Sequence, residues 1–212
     1  MSLSQPPGMI EASQAGAPAQ TVQPGWVRIT HWINVLAFFL LIFSGWRIYN
    51  ASPIFDFKFP KQITLGGWLG GALLWHFAAM WVLAANGLVY LTANLAGGRL
   101  RRRFFPLTPR LLIQDLSAAL RGKLGHEDLR NYNAVQKIAY LGAIALLLLI
   151  VLSGLAVWKS VQLPLLRELM GGFDNARIVH FLAMAGLLLF TIVHVTMVAL
   201  VPQTLRLMIR GR

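Results

Sequence analysis

Four stretches of this chain are apolar and long enough to cross a bilayer: roughly residues 26–49, 66–93, 136–158 and 175–201. A hydrocarbon layer demands about 20 residues per helical span. It offers no water to unpaired backbone groups, so each stretch must close its hydrogen bonds internally as a helix. The predicted fold is therefore all-α, an integral membrane four-helix bundle. Composition agrees, with 57% hydrophobic and 12% charged residues.

Orientation follows from the lysines and arginines. With the N-terminus inside, Arg28, Arg99, Arg101, Arg102, Arg103, Arg110, Arg121, Lys123, Arg130, Lys137, Arg206, Arg210 and Arg212 are cytoplasmic, and only Arg47, Lys58, Lys61, Lys159, Arg167 and Arg177 face outward. Both termini are thus expected on the cytoplasmic side. The formal charge of +12 sits around the spans and not on a soluble basic domain. Anionic lipids, and not nucleic acid, are the expected partner of that charge. The absence of cysteine excludes disulfides, thiolate metal sites and covalent haem attachment.

Residues 1–25 are rich in Ala, Gln, Ser and Pro and lack a basic n-region, which reads as a disordered cytoplasmic tail and not a cleaved signal. The membrane domain then covers residues 26–212. In the one long cytoplasmic loop, "PRLLIQDLSAALRGKLG" spaces Leu112, Asp115, Leu116, Ala119 and Leu120 as a short interfacial helix, read as a connector without chemistry. Gly66, Gly67, Gly70 and Gly71 read as small-xxx-small pairs opening the second helix. Ser44-Gly45 and Ser153-Gly154 lie inside the first and third, suited to close helix packing or to a planar cofactor between helices.

Against this background the segment "HFLAMAGLLLFTIVH" stands out, with His180 and His194 at its ends. Fourteen positions place them about 21 Å apart along a helix and about 40° apart around it. They occupy one face near opposite sides of the membrane. His76 belongs to the outer half of the second span and His31 to the cytoplasmic start of the first, so depth pairs His76 with His180 and His31 with His194. Facing imidazoles in a bundle suit bis-histidine haem ligation. The competing account is a set of helix-to-helix hydrogen bonds, which four histidines pairing by depth make the weaker one. Arg28 in "VRITHW" and Arg177 in "ARIVHF" each precede a histidine by three residues, where a guanidinium can meet a haem propionate or merely snorkel to the interface. His126, beside Glu127 and Asp128, reads as a solvated loop residue.

"VRITHWIN", "FSGW", a second-helix histidine before "NGLVYL", "YNAVQK" and the H-x13-H of the fourth span together resemble the bacterial di-haem cytochrome b561 family, over residues 26–212. That family includes cytochrome b subunits of nickel-iron hydrogenases, formate dehydrogenases and thiosulfate reductases. The resemblance implies a membrane electron-transfer subunit with two haems b, the outer held by His76 and His180 and the inner by His31 and His194. It implies exchange of electrons between a periplasmic oxidoreductase and the quinone pool. It also sets Tyr132, Asn133, Gln136 and Lys137 beside a cytoplasmic quinone site, where amide side chains suit a quinone carbonyl; an N-cap role for Asn133 is the structural alternative. The segments "GLAVWKSVQLPLLRELMGGFDNARIVHF" and "HVTMVALVPQTLRLMIRGR" are most similar to members paired with molybdopterin-dependent oxidoreductases. Two rivals remain at this stage. One is a stand-alone superoxide:quinone oxidoreductase, drawing an anion to Arg47, Lys58, Lys61, Lys159 and Arg177. The other is a non-redox membrane anchor or proton path.

Overall fold

The computed structural model describes residues 23–98, 108–121 and 134–211. Its four membrane-length helices are α1 (Gly25–Ala51), α2 (Leu69–Ala96), α4 (Ala134–Trp158) and α6 (Phe173–Leu200). Among the described residues, three shorter α-helices accompany them, α3 (Pro109–Leu120), α5 (Pro164–Leu169) and α7 (Gln203–Arg210), with one 3-10 turn at Lys61–Ile63. The protein is an all-α, multi-pass bundle of the bacterial inner membrane, and the expected interfacial segment is helical as α3.

Breaks between helices follow local chemistry. Pro53 disfavours helical geometry at Ser52, which ends α1 with φ −146° and ψ 81°. Pro202 does the same to Val201, separating α6 from the amphipathic α7.

The second helix departs from expectation. Gly66 and Gly67 precede it in a turn, with φ of 103° and 71°, and the helix begins only at Leu69. A side chain on Gly66 would meet the backbone of Ala72. The glycine run thus serves the turn that feeds α2 and is not a pair of small-xxx-small packing motifs; the positive φ favours glycine there.

The bundle is built from two antiparallel hairpins. α1 packs along α2 and α4 along α6, while backbone contact between the hairpins is sparse. Close approach within each pair relies on small residues: Ala37, Ser44, Ala72, Ala79, Ser153, Ala156, Ala176 and Ala183 are buried. Larger apolar side chains such as Leu36, Leu74, Leu88, Leu189 and Val195 point outward, as lipid-facing residues do.

Both ends of the bundle are tied; they are called cytoplasmic and outer after the distribution of lysine and arginine. At the cytoplasmic end α7 lies against α1: the Arg28 guanidinium donates to the Ile209 carbonyl at 2.6 Å, Trp32 Nε1 to Met208 at 3.3 Å and the Gln23 amide to Gly211 at 3.5 Å. The start of α1 and the end of the chain are therefore on one side, as an even number of spans requires. At the outer end Phe59 stacks on Trp46 with centroids 4.6 Å apart, Phe57 lies 5.2 Å from Tyr49 and Phe55 5.3 Å from Phe181. Asn50 exchanges two 2.8 Å hydrogen bonds with the Phe59 backbone.

Candidate haem sites

The hairpin geometry sets four histidines at two levels. His76 is seven residues past the start of α2 and His180 seven past the start of α6, both helices entering from the outer side. His31 is six residues past the start of α1 and His194 six before the end of α6. At about 1.5 Å per residue each pair is roughly 10 Å from its own end of the bundle.

The rings face one another across the gap between hairpins. His76 and His180 have centroids 6.4 Å apart and planes at 65°; His31 and His194 have centroids 6.3 Å apart and planes at 63°. A metal–imidazole nitrogen bond is about 2.0–2.1 Å and a ring nitrogen lies roughly 1 Å from its centroid, so two imidazoles sharing one ion stand about 6 Å apart. Both pairs match this separation.

Other features fit a haem at each level. Gly45 and Gly154 present bare backbone to the outer rings: an added Cβ would lie 3.4 Å from His76 Cε1 and 3.1 Å from His180 Cε1. Among the described residues, two buried donors on α1 lack an acceptor, Arg28 Nε near His31 and Trp46 Nε1 at the level of His76. A buried donor without a partner costs stability unless something accepts from it, and a haem carboxylate is such an acceptor.

Arg177 binds the carbonyl of Ser52 and its hydroxyl, the latter at 3.2 Å, and approaches Asp174 at 3.7 Å. Arg28 and Arg177 thus each stand one turn from a histidine and also hold a helix end. With five N–H groups a guanidinium has donors to spare beyond these contacts. Gln136 and Lys137 open α4, Gln136 exposed. Tyr132, Asn133 and His126 lie outside the described residues.

Three polar features went unread in the sequence. Ser44 and Ser153 bond His76 and His180, each at 3.1 Å. Buried Asn86 donates to the Thr30 carbonyl at 2.7 Å and to Asn34 Oδ1 at 2.6 Å, joining α2 to α1 beside His31. Asp115 of α3 accepts the Ala134 amide at 2.6 Å, capping α4. The first had a signal in the recurring Ser-Gly pairs, and the second in paired amides within apolar spans.

Fold and site together define a multi-pass membrane protein with two facing histidine pairs, one toward each surface. The model of the prokaryotic cytochrome b561 family matches residues 22–211. The chain belongs to that family, and is a haem b electron-transfer subunit. It is similar to a protein of Azospira oryzae, provisionally named as a protein-methionine-sulfoxide reductase subunit, YedZ1. The two are 62% identical over 190 residues, covering 90% of this chain and 96% of the relative. No solved structure matches the chain.

Proposed function

We propose that this subunit holds two haems b, the outer by His76 and His180 and the inner by His31 and His194, and links the quinone pool to a periplasmic oxidoreductase of the molybdopterin type. The carrying observation is the pair of facing imidazoles at equal depth from each end of the bundle. Bound there, haem b takes up and releases single electrons. The chain's own residues position it: histidines fix the iron, Gly45 and Gly154 leave room for the outer ligand rings, and Arg28 and Arg177 offer charge to carboxylates at the two surfaces. Two histidines would hold each iron, and such a site would offer oxygen no open position.

The relative's name suggests the partner's substrate, protein-bound methionine sulfoxide. Its reduction takes two electrons and two protons and yields a thioether and water; oxidation of one quinol releases the same number of each. Quinol oxidation is assigned to the cytoplasmic end, near Gln136 and the residues preceding it. The reductase is assigned to the outer face, whose loops between α1 and α2 and around α5 expose Phe55, Phe57, Val161, Leu165 and Leu169.

The test uses the chain purified with its reductase in detergent. Reduction by a soluble quinol analogue followed by reoxidation on adding a methionine sulfoxide peptide supports the reading. Reoxidation that ignores the peptide contradicts it. Reduction of the isolated chain by superoxide would favour the stand-alone oxidoreductase instead.

A further inference from the structure

The outer histidine pair is held by a device that occurs twice. "LLIFSGW" on α1 and "LIVLSGL" on α4 each bring a serine and glycine against the histidine of the helix they pack on. Ser44 and Ser153 are fully buried. Ser44 Oγ lies 2.5 Å from the Leu40 carbonyl and 3.1 Å from His76 Nδ1; Ser153 Oγ lies 2.7 Å from the Leu149 carbonyl and 3.1 Å from His180 Nδ1.

A hydroxyl has one hydrogen. In each case the shorter contact is to the carbonyl four residues back, which can only accept, so the hydroxyl donates there. Its lone pair then receives Nδ1–H from the histidine, which also bonds a backbone carbonyl of the serine's helix, Leu41 for His76 and Ile150 for His180. This order of donors sets the tautomer: both outer imidazoles carry their proton on Nδ1, which leaves Nε2 unprotonated as the nitrogen available to a metal. The same order makes each serine a better acceptor, since donation to the carbonyl polarises its oxygen.

We infer that Ser44 and Ser153 are positioning residues that, with the neighbouring carbonyls, hold the tautomer of the outer haem ligands, and that their hydroxyls lower the reduction potential of the outer site. The inference rests on the two-haem reading above. An imidazole that donates from Nδ1 is a more basic ligand at Nε2, and a more basic ligand favours ferric over ferrous iron. The expected result is an outer site that is a stronger reductant toward a partner docked on its side of the membrane. Gly154 belongs to the same device, because a Cβ there would lie 3.1 Å from His180 Cε1, tighter than ordinary contact, whereas at Gly45 the 3.4 Å approach to His76 Cε1 is ordinary contact.

The experiment is a redox titration of the purified full chain, with both haems resolved optically, for the parent, Ser44→Ala, Ser153→Ala and the double variant. Haem is first counted in the parent; fewer than two per chain defeats the two-haem reading itself, whatever the serines do. With two present, each alanine variant should raise one midpoint, by up to about 59 mV for a tenfold change in the one-electron equilibrium. The double variant should raise it further, and the other midpoint should stay fixed. Unchanged midpoints, or equal shifts of both, overturn the inference. Should an alanine variant lose a haem, Ser44→Thr and Ser153→Thr decide. Retention with threonine but not alanine upholds the hydroxyl's role, and loss with both assigns the position to packing and overturns it.

Discussion

Asn86 of α2 donates to the side-chain oxygen of Asn34 on α1 at 2.6 Å, inside the span and one turn from His31. The same amide also reaches the Thr30 carbonyl, so a single side chain crosses from one helix to the other twice. Hydrogen bonds between membrane helices are each worth about 0.6 kcal/mol on average, up to about 1–2 kcal/mol. Asn86→Leu should destabilise the first hairpin by about 1–2 kcal/mol and weaken haem retention at the inner site more than at the outer. Thermal unfolding in detergent, followed at both haems, checks it; equal loss at both sites would assign Asn86 to general packing.

Arg28 ties the terminal helix to the start of α1. Arg28→Gln should release α7 and let the backbone at the already exposed Arg206 and Arg210 unfold into trypsin, with faster clipping there than in the parent chain. An unchanged digestion pattern would mean that Trp32 and the Gln23 amide suffice to hold it.

Asp115 caps α4 from a different helix, placing a carboxylate at the positive end of the helix dipole. Loss of such a cap costs about 0.5–2 kcal/mol. Asp115→Ala should therefore lower thermal stability, and Asp115→Asn should recover much of it because the amide oxygen still accepts. Identical melting of all three proteins would remove the cap from the account.

The two glycines of the outer site should respond unequally. A methyl at Gly154 would lie 3.1 Å from His180 Cε1, inside comfortable contact, while one at Gly45 would lie 3.4 Å from His76 Cε1. Gly154→Ala should shift the outer haem's spectrum or occupancy more than Gly45→Ala. The reverse order would show that the rings sit differently from this geometry.

Much of this was legible in the sequence because membrane physics leaves few options. Four apolar runs gave four helices, and depth alone paired His76 with His180 and His31 with His194, the pairs that now face each other. What escaped depends on contacts between segments distant in the chain. Ser44 meets His76 across 32 positions and Asp115 meets Ala134 across 19, and no periodicity reports such meetings. The run from Gly66 to Gly71 misled for another reason: glycine serves helix packing and tight turns alike, and only the positive φ of Gly66 and Gly67 separates the two. The spacing of Arg28 and Arg177 before a histidine suits a propionate partner or a snorkelling side chain, whereas the carbonyls of Ile209 and Ser52 that they hold come from elements no local pattern brings near.

The most direct test of the central claim is haem content by pyridine haemochrome, with reduced-minus-oxidised spectra, for the purified chain and its four single histidine-to-alanine variants. Two haems b in the parent are predicted. One haem should be lost in either His76→Ala or His180→Ala, and the other, spectrally distinct, in either His31→Ala or His194→Ala. A parent with a single haem, or variants whose losses pair His76 with His31, would contradict the account.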